Sequence, residues 1–309
     1  MAKYLLNRIV TALISFWIVV TLTFIMMHAI PGGPFAREKA LPDVILKNLN
    51  ERYHLNDPLT KQYFDYLKNI VKLDFGPSFN ARGRSVNDII REGLPVSATL
   101  GLFSILIAIG IGVPAGIVSA LRQNKWQDGA LMFLAIIGVS VPNFVLATLL
   151  QFFLGFKLHW LPPALWGTPQ QMIMPAIALS AFTMAFIARL IRSSMLETLA
   201  QDYVRTARAK GLSGTAVILK HTLKNALIPA VAVSGPLAAG LIAGSFVIER
   251  IFVIPGLGRY FVNSIYNRDY TTIMGVTIVD TALILSLSLI VDLVYAFIDP
   301  RIKLTGKGD

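Results

Sequence analysis

Two carboxylates, Asp280 and Asp292, stand inside an otherwise uncharged apolar run near the end of the chain. An acid in a membrane-length apolar stretch is costly, and such residues serve as ion relays, counter-charges or internal hydrogen-bonding groups. Twelve helical residues turn through about 1200°, so the two lie about 120° apart and share no face. Asp292, within a turn or two of the run's inner end, fits a helix-end charge that can reach water or an arginine. Asp280 is deeper and can face a polar pathway, attract a basic substrate, or hydrogen-bond within a helix bundle. No Lys, Arg or His of the same run pairs with either acid.

A second concentration of chemistry is basic. Seven Lys/Arg lie between Arg189 and Lys224, against the acids Glu197 and Asp202 alone. A third is Val141-Pro142-Asn143, in the middle of an apolar run. A proline there frees a carbonyl, which is tolerated only against protein or a water-lined path, so kinked packing and a translocation wall both account for it. His28, at the outer end of the first apolar run, fits interfacial packing or a ligand contact. Enzymatic signatures are missing: no G-x-x-x-x-G-K-[ST], no H-E-x-x-H and no G-x-S-x-G. There is no cysteine, which rules out disulfides, thiolate metal sites and a cysteine nucleophile. The chain therefore has no nucleotide cradle, catalytic group, metal site or cofactor site of its own, and active transport would need another polypeptide or an ion gradient.

The elements that position these residues are membrane helices. Of 309 residues, 55% are hydrophobic and 15% charged, where a soluble domain carries about 25% charged. The apolar runs predict an all-α integral membrane protein with six transmembrane helices, crossing at 9–30, 96–121, 129–156, 172–188, 226–248 and 272–298. The expected division is a first helix over 1–30, an outer polar segment over 31–95, a five-helix core over 96–298, and a basic tail over 299–309. The outer segment reads as two short amphipathic helices, 41–55 and 58–73, with Asp57 as cap to the second. In it a turn follows at 73–79, and Ser85 with Asp88 opens a helix ending near Gly93. Its ten basic and eight acidic residues nearly cancel, so no electrostatic partner surface is expected there. Gly112-x-x-x-Gly116 and Gly240-x-x-x-Gly244 suggest close helix contacts. Residues 249–270 are expected outside the bundle.

Within the core, 201–229 has the grammar of a helix–Gly–helix hairpin. Good helix formers run to Lys210, Gly211 can close that helix in a left-handed cap, and Ser213 can open a second one. Arg205, Arg208, Lys210, Lys220 and Lys224 surround the small residues Ala207, Ala209 and Gly211. That composition fits a socket for a cytoplasmic motor, or a basic loop lying on anionic headgroups. Short inner segments carry fourteen Lys/Arg and short outer ones four, which predicts both termini in the cytoplasm. The net charge of +11 then follows from topology rather than from nucleic-acid binding.

Several stretches resemble one family along about nine-tenths of the chain. They include LLNRIVTALISFWIVVTLTFIMMHAIPGGPF, YHLNDPLTKQYFDYLKNIVKLDFGPSF, LPVSATL, ALRQNKWQD and VSVPNFVLATLLQ. They continue with YVRTARAKGL…KHTLKNALIP, VIERIFVIPGLGRYFVNSIYNRDY and VDLVYAFIDPRI. The family is that of membrane permease subunits of bacterial ABC importers of the oligopeptide/dipeptide/nickel type. The PGGPF–YHLNDP–DFGPSF run resembles the first permease subunit of oligopeptide importers most. The family's coupling motif runs E-A-A-x-x-x-G, nine residues, I-x-L-P, and aligning on Gly211 matches it at Ala207, Gly211 and Leu223. The resemblance implies the type I importer permease fold in the bacterial inner membrane, with no catalysis in this chain. It also implies a homologous second permease, two cytoplasmic ATP-binding subunits and an extracytoplasmic peptide-binding protein. Arg205, Ala207, Arg208, Gly211 and Leu223 would then couple to the ATPases, and Pro142, Asn143 and Asp280 are candidates for the peptide pathway. The rivals are the same role for dipeptides or nickel, an ion-coupled carrier using Asp280, and a membrane scaffold binding a soluble complex through 201–229.

Overall fold

In a bilayer every backbone N–H and C=O must be satisfied internally, so long apolar runs become helices. The computed structural model describes residues 2–31, 33–35, 43–81, 83–242 and 246–298. Helix α1 (Ala2–Ala29) takes in the first apolar run up to its last residue and ends ahead of Pro31. Two short helices follow in the outer segment, α2 (Asp43–Arg52) and α3 (Leu59–Val71). The cap of α3 is Pro58 without a side-chain bond; Asp57 instead meets Lys61 at 2.9 Å. Both the lysine and the acid keep access to water, and the pairing raises the Lys61 pKa. Tyr63 and Tyr66 of α3 pack with Phe24 of α1, Tyr270 and Met274.

Helix α4 (Val86–Leu121) opens on the expected Ser85–Asp88 capping box but does not stop at Gly93. It runs unbroken through Pro95 and Pro114 for 36 residues, so the expected boundary at 95–96 falls inside one helix. Gly93 is a contact point, where an added Cβ would stand 3.0 Å from the Leu257 nitrogen. The third crossing breaks where the sequence suggested. Helix α5 (Trp126–Ser140) and α6 (Asn143–Leu150) meet at Val141-Pro142, and α6 continues as π-helical turns over Gln151–Lys157. The two halves bend by 108°.

Helix α7 (Pro169–Leu199) starts from a Thr168–Gln171 capping box with Pro169 in its first turn. At 31 residues it is much longer than the expected 172–188, because Arg189 and Arg192 end the apolar run without ending the helix. A helix of that length spans about 46 Å against a hydrocarbon core of about 30 Å, so it projects beyond the membrane. Next come α8 (Asp202–Ala209), the turn α9 (Gly214–Ala216), π-helical turns over Val217–Thr222, and α10 (Leu223–Ala226). Helices α11 (Ile228–Ile242) and α12 (Phe246–Ile251) follow, then α13 (Leu257–Tyr266) and α14 (Tyr270–Ile298).

Among the described residues five helices are long and apolar enough to cross a membrane, or six if the bent α5–α6 pair is one crossing. Helix α7 is the centre of the bundle: 61% of its apolar window is buried, against 11% for α1. It lies along α4 through small residues. A Cβ on Gly112 would stand 2.7 Å from the Met184 carbonyl, and one on Gly116 would stand 2.5 Å from that of Ala188. Gly240 faces open space, so the second glycine pair makes no contact there, and Gly244 lies outside the described residues. The expected outer segment 249–270 is partly core. Phe252, Ile254 and Leu257 are buried, the first two in one cluster with Leu100, Met174 and Ile248. The tail 299–309 is outside the described residues.

Candidate functional site

The hairpin begins two residues after α7 ends. Val204 and Ala207 of α8 bury against Val217 and Leu199, giving the protrusion a small core of its own. Gly211 has φ +80°, a left-handed angle that an L side chain resists. An added Cβ there would touch nothing within 4 Å, so backbone angle rather than space requires glycine. Its N–H donates to the Arg208 carbonyl at 3.0 Å, closing α8. The Ser213 hydroxyl then accepts from the Ala216 N–H at 3.3 Å and opens the return arm. Asn225 Nδ2 donates to Tyr203 Oη at 2.8 Å, tying the arms together across the turn.

The candidate residues of the hairpin divide by position. Arg205, Arg208 and Gly211 are exposed. Arg205 meets Asp202 at 3.7 Å with both side chains largely in water, a pair that holds little. Ala207 is buried in the hairpin core, so it does not offer the small exposed surface suggested by composition. Leu223 is packed at the root, against a cluster containing Ile191, Met195 and Ala226. The exposed apolar groups are others: Tyr203, Leu212 and Leu219, the last at 58% of its full exposure. Leu212 and Leu219 flank the glycine turn among basic residues, and only their leucine character at a polar surface could have flagged them.

At the bend, Pro142 is exposed and Asn143 partly so. The Pro142 carbonyl accepts from the Val145 and Leu146 N–H groups at 3.0 and 3.1 Å, starting α6. The carboxylates show a sharper contrast. Asp128, in the first turn of α5, receives Arg192 Nε and Nη2 at 2.7 and 2.8 Å. It also accepts from the Ser119 hydroxyl and, at 3.0 Å, from the Asn124 N–H. Glu249 is fully buried in α12. It accepts from Ser97 Oγ at 2.7 Å and from the Gly258 N–H at 2.8 Å, while Ser97 accepts from the Leu257 N–H at 2.9 Å. Those two N–H groups are orphan donors in the first turn of α13. Asp269 is buried ahead of α14. It accepts from Thr272, Thr271, Ser78 and the Phe79 N–H, anchoring the outer turn.

Asp280 differs from all three. It is 7% exposed, and neither carboxylate oxygen has a hydrogen-bond partner among the described residues. The side chain of Asp292 is outside the described residues. His28, by contrast, is accounted for by packing: it contacts the Phe24 ring and lies 3.2 Å from Gln62 Oε1. No His/Cys/Asp/Glu group suited to a metal occurs among the described residues.

Comparison with known proteins bears on all of this. Residues 112–304 match the family model described as "Binding-protein-dependent transport system inner membrane component". Residues 1–101 match the corresponding N-terminal model. The dipeptide transport system permease protein of Bacillus subtilis (strain 168) is 49% identical over 310 residues, covering 100% of both chains. The oligopeptide transport system permease protein of Escherichia coli (strain K12) is 45% identical over 305 residues, covering 98% of this chain and 100% of the relative. Among solved structures, a chain of the inward-facing MetNI methionine ABC transporter has a TM-score of 0.56 at 18% identity, over 68% of this chain and 96% of its own. A chain of an amino acid ABC transporter solved with histidines has a TM-score of 0.53 at 16% identity, over 67% and 93%. These two are similar in fold.

Proposed function

We propose that this chain, which belongs to the family of inner membrane components of binding-protein-dependent transport systems, forms half of the pathway of an ATP-driven peptide importer. It is a permease subunit of the oligopeptide/dipeptide/nickel type, a transport component rather than an enzyme. The cargo is a peptide. The sequence pattern of 31–79 pointed to the oligopeptide branch, but the dipeptide permease is the more similar of the two relatives named, at 49% against 45%. We therefore place dipeptides ahead of longer peptides. The partners are a homologous second permease, two ATPases that bind the ATP, and a peptide-binding protein on the outer side. Both termini face the cytoplasm of a bacterial inner membrane, as the basic-residue count supports.

The observation that carries the reading is the hairpin. Its internal core and Tyr203–Asn225 tie stiffen it, and it presents Arg205, Arg208, Leu212 and Leu219 around a glycine-dependent turn. A motor's stroke needs a rigid handle of this kind. A basic loop resting on headgroups needs neither a core nor a tie. The bend at Pro142–Asn143 supplies a wall to the pathway, and Asp280 lies in the last helix with its carboxylate unpartnered among the described residues.

Co-purification from native membranes tests the reading, comparing wild type with Gly211→Pro. Proline fixes φ near −65° and cannot adopt the turn's positive angle. Wild type is expected to bring down a second permease and ATPase activity, with the ATPases lost from Gly211→Pro. Wild type that purifies without ATPase and drives uptake under an ion gradient, with uptake abolished by Asp280→Asn, would make the chain a carrier instead.

A further inference from the structure

The hairpin reading leaves open how movement at the inner surface reaches the helices that bend in the membrane. We infer that Asp128 and Arg192 form a strut between them, as positioning residues for transport; this rests on the hairpin being the ATPase socket.

The connection is continuous from one end to the other. On the hairpin's return arm, Ile218, Leu223 and Ala226 belong to one apolar cluster with Ile191 and Met195 of α7. Ile191 and Met195 are fully buried, and Arg192 sits between them in sequence. Arg192 clasps Asp128 of α5 through both Nε and Nη2. A two-point guanidinium–carboxylate pair fixes orientation as well as distance, which a lysine cannot do. Asp128 is also held by Ser119 at the end of α4 and by the Asn124 N–H of the connecting turn. The pair thus joins α4, α5 and α7 at one point, with the acid 6% and the arginine 26% exposed. Helix α5 leads in turn to the 108° bend at Val141-Pro142. A displacement of the hairpin root that shifts α7 must therefore pull on the start of α5.

A purely structural pair would affect assembly alone, and the test separates the two roles. The complete importer is reconstituted in vesicles with wild type, D128N/R192Q or R192K. Three quantities are read: ATPase subunits retained, ATP hydrolysed, and peptide taken up per ATP. The double variant removes both charges together and so leaves no uncompensated buried ion. It is expected to retain both ATPases and hydrolyse ATP within about twofold of wild type, while uptake per ATP falls about tenfold. R192K keeps the charge but loses the fork, and is expected to lower the same ratio about threefold. Unchanged uptake per ATP in D128N/R192Q overturns the strut, including where fewer complexes assemble but those that do work normally. If D128N/R192Q does not assemble, R192K decides by the same ratio. Failure of wild type to retain ATPases would overturn the socket reading instead, and is distinguishable because it appears without any substitution.

Discussion

Tyr63 and Tyr66 lie one turn apart on α3 and face the same aromatic patch on α1, yet their hydroxyls fare differently. Tyr63 Oη pairs with Thr21 Oγ1 at 2.7 Å. Tyr66 Oη is buried with no partner among the described residues, and burial pushes that phenol well above its ordinary pKa. An unmet buried hydroxyl costs about 1–3 kcal/mol, so Tyr66→Phe is expected to stabilise the purified protein by about 1 kcal/mol. Tyr63→Phe removes a made bond, although Thr21 keeps its donation to the Trp17 carbonyl at 2.8 Å, and is expected to destabilise the protein by about 1 kcal/mol. Thermal unfolding in one detergent measures both, and a loss of stability in Tyr66→Phe would mean the hydroxyl has a partner. The sequence reveals little at this scale. Asp128, Glu249 and Asp269 are bound to side chains 64, 152 and 191 residues away, so no local spacing could single them out. Asp280 stood out only because its own neighbours are apolar.

Helices α4 and α7 meet through glycine, and that contact was legible because the spacing of Gly112 and Gly116 needs nothing from elsewhere in the chain. A Cβ at Gly116 would also stand 2.9 Å from Ile191 Cβ, in the cluster that seats the hairpin root. Overpacking of this kind costs about 1–3 kcal/mol and shifts backbones, so Gly116→Val is expected to lower folded yield and unfolding temperature. Gly110→Val, whose Cβ meets open space, is the control on the same helix and is expected to behave as wild type. Equal losses in both would show that glycine matters there for a reason other than close approach. The ends of these helices were less legible. Charge marks where a chain leaves the membrane, but helical hydrogen bonding continues past that point, as Arg189 and Arg192 in α7 show. Likewise the partly buried course of 247–258 could not be read from VIERIFVIPGLG, because its burial depends on α4 and α6 rather than on its own polarity.

The whole molecule carries no cysteine, so any single introduced thiol reports one position. Lys220→Cys is expected to react with an impermeant maleimide only from the cytoplasmic side, and Asp65→Cys only from the outside. Reaction of both from one side would invert or collapse the proposed topology. The all-helical, multi-span architecture was readable because the bilayer imposes length and charge rules on every segment alike. How the segments lean on each other was not. The packing makes the long central helix a lever. Gly116 of α4 lies against its Ala188 carbonyl, 11 residues from its inner end and 19 from its outer end. Turning as a rigid rod about that fulcrum, with arms of about 16 and 28 Å, it multiplies an inner displacement about 1.7-fold at the outer mouth. On the proposed coupling, a modest stroke delivered below would thus be geared up at the far end of the helix.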